Sequence, residues 1–174
     1  MENHILFYIP AIVAVGATAM TITRANAVHA LLYLVVSLLA VANVFFLIGA
    51  PFVAALEVII YAGAIMVLFV FVLMMLNVGP EAARAEKTLL RPRVWIGPSL
   101  LAAVLLTEMT YMIATGPAEM VAIRTVSPKA VGRSLFGPYL LGVELASFLL
   151  LAGLIGAWHL GRRTRIKPAG KGDA

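Results

Sequence analysis

Five apolar runs, at residues 5–23, 27–49, 52–77, 94–115 and 139–159, govern what this chain can fold into. Each is close to the roughly 20 apolar residues that a helix needs to cross a bilayer. Helix is the expected conformation because lipid offers no partner for backbone N–H and C=O groups, and a helix satisfies them within one segment. A soluble fold is excluded by composition: 63% of the residues are hydrophobic, 12% are charged, and mean hydropathy is +1.03. A soluble domain is nearer half apolar and a quarter charged. The expected fold class is therefore all-α, a polytopic membrane protein with five transmembrane helices. Residues 1–163 are expected to form a single transmembrane domain, followed by a basic cytoplasmic tail at 164–174.

The breaks between runs carry helix-stopping residues. Arg24 and Asn26 part the first two runs, and Ala50-Pro51 parts the second and third. Gly79-Pro80 opens a charged loop holding Glu81, Arg84, Glu86, Lys87, Arg91 and Arg93. Gly116-Pro117 opens a second loop that closes at Gly137-Pro138. Proline removes a backbone donor and disfavours helix in the residue before it. Ala17-Thr18-Ala19 resembles a signal-peptide cleavage site, but the start of the chain carries Glu2 and no Lys or Arg, so the first run is expected to be a retained helix. With the C-terminus inside, ten of the 13 Lys and Arg residues fall on the cytoplasmic side. The positive-inside rule then sets the N-terminus out and the C-terminus in.

The net charge of +5 is accounted for by these loop and tail residues, without invoking nucleic acid. The chain has no cysteine, which removes disulfides, thiol chemistry and iron–sulfur ligation. His4 and His159 stand at span ends and His29 near one, where they are poorly placed to serve as axial haem ligands.

Ionisable residues inside spans are costly, and by default they are functional candidates. Three carboxylates qualify: Glu57, Glu108 and Glu144. The topology puts each roughly 8–11 Å below the outer boundary, at about 1.5 Å per residue. Glu57 and Glu144 lie near the starts of their helices, where a carboxylate can simply complement the helix terminus. Both readings stand for them. Glu108 lies beside Thr107, Thr110 and Tyr111, and a local hydrogen-bonded cluster is expected there.

The third run is too long for its task. Its 26 residues make about 39 Å of straight helix against a hydrocarbon core of about 30 Å. It must tilt, overshoot or contain an irregularity. Its middle, Tyr61-Ala-Gly-Ala-Ile-Met-Val67, is rich in small residues that allow close packing, and glycine eases a π-bulge. Helical spacing puts Glu57, Tyr61, Ala64 and Leu68 on one face. A plain packing seam accounts for the same small residues.

At this point the residues resemble a known family. The string Ala55-Leu-Glu-Val-Ile-Ile-Tyr-Ala-Gly-Ala-Ile-Met-Val-Leu-Phe-Val-Phe-Val-Leu-Met-Met-Leu-Asn77 is similar to the third helix of the subunit J family of proton-pumping NADH:quinone oxidoreductase, respiratory complex I. Asn26-Ala-Val-His-Ala-Leu-Leu-Tyr-Leu34 resembles the start of that family's second helix, and Phe136-Gly-Pro-Tyr-Leu-Leu-Gly-Val-Glu-Leu-Ala-Ser147 resembles its fifth. The resemblance implies a membrane-arm subunit of the bacterial inner membrane that helps couple quinone reduction to proton translocation. It implies a π-bulge gate on a water chain, formed by Tyr61, Gly63, Met66, Val67 and Phe69. Glu57 and Glu144 match acidic positions of the family, whereas Glu108 matches no family motif. The resemblance also implies that FMN, the Fe–S clusters and quinone belong to partner subunits, that this chain carries no cofactor, and that the isolated chain has no activity. Its partners would be the quinone-site subunit and the antiporter-like subunits. Two other readings stand beside it: a purely structural bridging subunit, and a small independent transporter. The transporter reading is weakened by the lack of an inverted repeat or a broken-helix pair.

Overall fold

The computed structural model describes residues 2–76, 92–115 and 125–161. Most of the charged loop after the third run, the Gly116-Pro117 break and the tail at 164–174 lie outside the described residues. The described residues are helical with short turns, and among them there is no strand. In chain order the helices are α1 (Glu2–Thr23), α2 (Ala27–Leu47), α3 (Pro51–Leu56), a π-helical segment (Glu57–Ile65), α4 (Met66–Leu76), α5 (Pro92–Thr115), α6 (Pro128–Leu135) and α7 (Leu140–Gly161). The helix α3, the π segment and α4 run on without a break, so five helices are long and apolar enough to span a membrane.

The chain divides into two compact units, Met1–Ser127 and Pro128–Ala174. In the first, α2 is the central element and packs against α1, against the α3–π–α4 helix and against α5. Its start is capped by Asn26, whose side-chain oxygen accepts from the N–H groups of Val28 at 3.0 Å and His29 at 3.2 Å. Such a cap satisfies donors that no helix residue can reach. Its end is closed by Gly49 at φ 83°, a left-handed conformation that costs glycine little. The N–H of Ala50 bonds the carbonyl of Phe45 at 2.9 Å and that of Gly49 bonds Phe46 at 3.1 Å, the bond pair of a Schellman motif. Pro51 then begins α3, where its missing N–H costs nothing. The Gly49 carbonyl accepts from the N–H of Val126 at 2.8 Å, which brings the segment after α5 to the α2–α3 turn.

The core of this unit is Ala17, Tyr33, Val36, Ala40 and Leu105, with Val13, Ala14, Leu39, Leu101 and Ala102 packed around it. Its alanines let α1, α2 and α5 approach closely, which is the main source of helix attraction where the solvent is itself apolar. Polar side chains add to the α1–α2 seam. Thr18 and Ser37 share a hydrogen bond of 2.7 Å between their hydroxyl groups, and the Ser37 hydroxyl also donates to the Ala14 carbonyl at 3.1 Å.

The second unit is α6 and α7. Val131 and Leu135 are one turn apart on α6, and so are Lys129 and Arg133. The loop expected between the last two spans therefore contains a short amphipathic helix. In α7 no residue of its apolar stretch is buried within the chain, and in the Pro51–Met75 span only 6% are.

Candidate functional site

The backbone of the third span carries the irregularity that its length demands. From Glu57 to Ile65 the helix is π-helical. At its end the Met66 N–H is shared between the carbonyls of Tyr61 and Gly63, and the bond to Tyr61 is the wide i→i+5 type. The segment covers Tyr61 and Gly63 as expected, but it starts four residues earlier and ends at Ile65. Met66, Val67 and Phe69 therefore belong to the regular helix α4 that comes next. The 3.6-residue spacing that groups Glu57, Tyr61, Ala64 and Leu68 on one face does not hold across this wider turn. Gly63 has a specific place in it: a Cβ there would lie 3.2 Å from the carbonyl oxygen of Val58, five residues back.

The five side chains of the expected gate face different surroundings. Met66 is buried at 2% exposure, and Gly63 is half-buried. Tyr61, Val67 and Phe69 are exposed at 50%, 67% and 52%, pointing away from the rest of the unit. A cavity of about 330 Å³ adjoins the π segment. Leu39, Asn43 and Phe46 of α2, Ala54 of α3, Val58 of the π segment and Leu105 of α5 contribute to its lining. Val58 thus has free space beside it in a helix whose register is already offset.

The three carboxylates are separated. Glu57 opens the π segment and is half-buried, and Glu144 is exposed on α7. Glu108 on α5 is buried at 6% exposure, and neither carboxyl oxygen has a hydrogen-bond partner. The two threonines of the hydrogen-bonded cluster expected around it turn elsewhere. Thr107 and Thr110 instead donate to the carbonyls of Ala103 and Leu106 at 2.8 Å, one turn back on their own helix. That bond is available to any helical threonine without ordering a distant partner. The residue that approaches Glu108 is Asn43 of α2, a polar side chain inside an apolar run that local pattern does not single out. Asn43 directs its Nδ2 to the Leu105 carbonyl at 3.2 Å.

His29 stacks at a tilt on Tyr33, with ring centroids 5.2 Å apart, and Arg24 lies over the other part of this cluster, 5.5 Å from the Tyr33 ring centre. This group closes the start of α2 with cation–π packing. Among the described residues no group of three His, Cys, Asp or Glu side chains is gathered as metal ligands.

The sequence is similar to those of known proteins. Residues 17–160 match the family described as NADH-ubiquinone/plastoquinone oxidoreductase chain 6. A Pseudomonas aeruginosa protein named NADH-quinone oxidoreductase subunit J is 59% identical over 158 residues, covering 90% of this chain and 95% of its own length. Its namesake from Escherichia coli strain K12 is 55% identical over 159 residues, covering 91% of this chain and 86% of its own. One from Buchnera aphidicola subsp. Schizaphis graminum is 48% identical over 160 residues, at 92% and 98%.

Proposed function

This chain belongs to the NADH-ubiquinone/plastoquinone oxidoreductase chain 6 family, and from that membership we propose that it is the subunit J of a bacterial NADH:quinone oxidoreductase, coupling quinone reduction to proton translocation through its third span. It works within one transmembrane domain of five helices in the inner membrane, N-terminus out, with the basic tail in the cytoplasm. FMN, Fe–S clusters and quinone are held by partner subunits. The quinone-site subunit and the antiporter-like subunits flank it.

The observation that carries the coupling role is the π segment Glu57–Ile65. A π turn is an α-helix with an extra residue accommodated, and relaxing it rotates the downstream helix by about 100° per residue. Val67 and Phe69 lie just beyond the segment and are exposed to whatever adjoins this chain. Turned into a narrow passage they expel water and break a proton-conducting chain; turned away, they admit it. The adjoining cavity gives Val58 room to move during this change. Partner subunits select between the two forms by contacts made better with one of them. Structures of the resting and the turning-over enzyme test this: a π segment in one and regular α-helix in the other is the expected result, and an unchanged helix in both refutes the gate.

A structural bridge is the second reading. It is favoured by the bare apolar surfaces of the third and fifth helices, which need neighbours or lipid to cover them. The topology has its own test. A reporter fused after Lys171 should read as cytoplasmic, and a periplasmic signal would reverse the orientation.

A further inference from the structure

We propose that α6 is an interfacial helix that binds the headgroups of anionic phospholipid in the leaflet where α7 begins. The site is independent of the third span and of its coupling role. Its charge is of one sign: from residue 125 to residue 143 the sequence holds Lys129 and Arg133 and no Asp or Glu. The two cations are four residues apart in α6, so they share one face, and both are exposed. Val131 and Leu135 have the same spacing on the opposite side. A basic face opposite an apolar one is the pattern of a helix that lies along a membrane surface and does not cross it.

The depth of α6 follows from α7. The 22 residues of α7 make about 33 Å of helix, against a hydrocarbon core of about 30 Å. Leu140 therefore stands at the core boundary, and α6, ending at Leu135, lies at headgroup level. The turn between the two helices is tight. The N–H of Tyr139 bonds the Ser134 carbonyl at 3.2 Å, and that of Leu140 bonds the Gly137 carbonyl at 3.2 Å. A Cβ at Gly137 would stand 2.7 Å from the Arg133 carbonyl oxygen, so this approach requires glycine. Tyr139, 64% exposed, projects from the turn at the level where amphipathic aromatic rings sit in membranes.

Phospholipid answers each of these features. Lysine and arginine donate charge-assisted hydrogen bonds to phosphate oxygens. The apolar side of α6 leads into α7, in which no residue of the apolar stretch is buried within the chain, so acyl chains meet a continuous apolar surface below the headgroups. An acidic protein surface would answer the charges alone.

Fluorescence quenching in the full chain tests the site. The sequence has no cysteine, so Leu135→Cys takes a single bimane label, and the labelled chain is reconstituted in nanodiscs. Spin-labelled phosphatidylglycerol should quench this label more than spin-labelled phosphatidylcholine at the same mole fraction. Lys129→Gln combined with Arg133→Gln should remove the preference, at about fivefold in lipid association for each charge. Lys129→Arg combined with Arg133→Lys should keep it. Where the double Gln variant fails to insert, either Gln change alone should lower the preference by about fivefold. Equal quenching by the two lipids, or a preference unchanged in the Gln variants, would overturn the site. So would photo-crosslinking in intact cells, if benzoylphenylalanine at position 135 joined α6 to a neighbouring protein, because α6 would then be covered by a subunit and not by lipid.

Discussion

The side-chain amide of Asn43 on α2 donates a 3.2 Å hydrogen bond to the main-chain carbonyl of Leu105 on α5, joining buried residues 62 positions apart. It is a polar tie in the middle of an apolar interface. Replacing Asn43 with Leu should weaken the α2–α5 packing by about 0.6 kcal/mol and by no more than ~1.7 kcal/mol, the range for hydrogen bonds between membrane helices. Equilibrium unfolding of the reconstituted chain measures this. A larger loss would mean that Asn43 also supports Glu108.

Gly97 on α5 is pressed against the Tyr33 hydroxyl. A Cβ at that position would overlap this oxygen and stand 3.3 Å from the ring carbon that bears it. Gly97→Ala should therefore cost about 1–3 kcal/mol, as overpacking does elsewhere. Combining it with Tyr33→Phe should recover a part of that loss, because the oxygen is gone. A double-mutant cycle with a coupling below about 0.5 kcal/mol would show that the two helices do not meet in this way.

Gly63→Val should lower quinone reduction and proton pumping together while the complex still assembles. In the π form the new Cβ stands 3.2 Å from the Val58 carbonyl, whereas a regular α-helix accepts valine at small cost. A bias of about 1.4 kcal/mol moves a two-state ratio tenfold, so a marked loss of turnover is expected from one side chain. Normal activity in an assembled Gly63→Val complex would count against a switching helix.

Glu57→Gln and Glu144→Gln should each preserve assembly and remove only part of the pumping. Glu57 is half-buried at the head of the π segment and Glu144 is exposed on its helix, so neither is enclosed within this chain. Proton uptake by membrane vesicles reads this directly. Complete loss of pumping in an assembled variant would make that carboxylate part of the proton path.

The five spans are legible in the sequence because apolar length is a one-dimensional property, and the structure places each within a few residues of its run. The irregularity of the third span is legible from its excess length and from Gly63. Its π register is not, because a hydrogen-bond shift leaves little mark on side-chain type. Only where a Cβ would meet Val58 does the sequence have to respond, and there it has glycine. The short helix α6 is hidden by its size, with too few apolar residues to show a period. Glu108 stands out as an intramembrane carboxylate, but its surroundings do not. Its threonine neighbours satisfy themselves on their own helix, and Asn43 comes from an element more than 60 residues away, a juxtaposition no local pattern encodes.

The hydrogen bond from Val126 to the carbonyl of Gly49 bears on how the chain is made. The α2–α3 turn is complete soon after the ribosome passes Pro51, yet its last acceptor waits for a donor roughly 80 residues downstream. At ~5–20 residues per second, that is about 4–16 s of synthesis. During this interval the third span and α5 must both enter the membrane, and the turn can hydrogen-bond only to water or to the insertion machinery. The bond from Val126 is thus a late fastening: it can close only once α5 has crossed, and it records that the crossing took place.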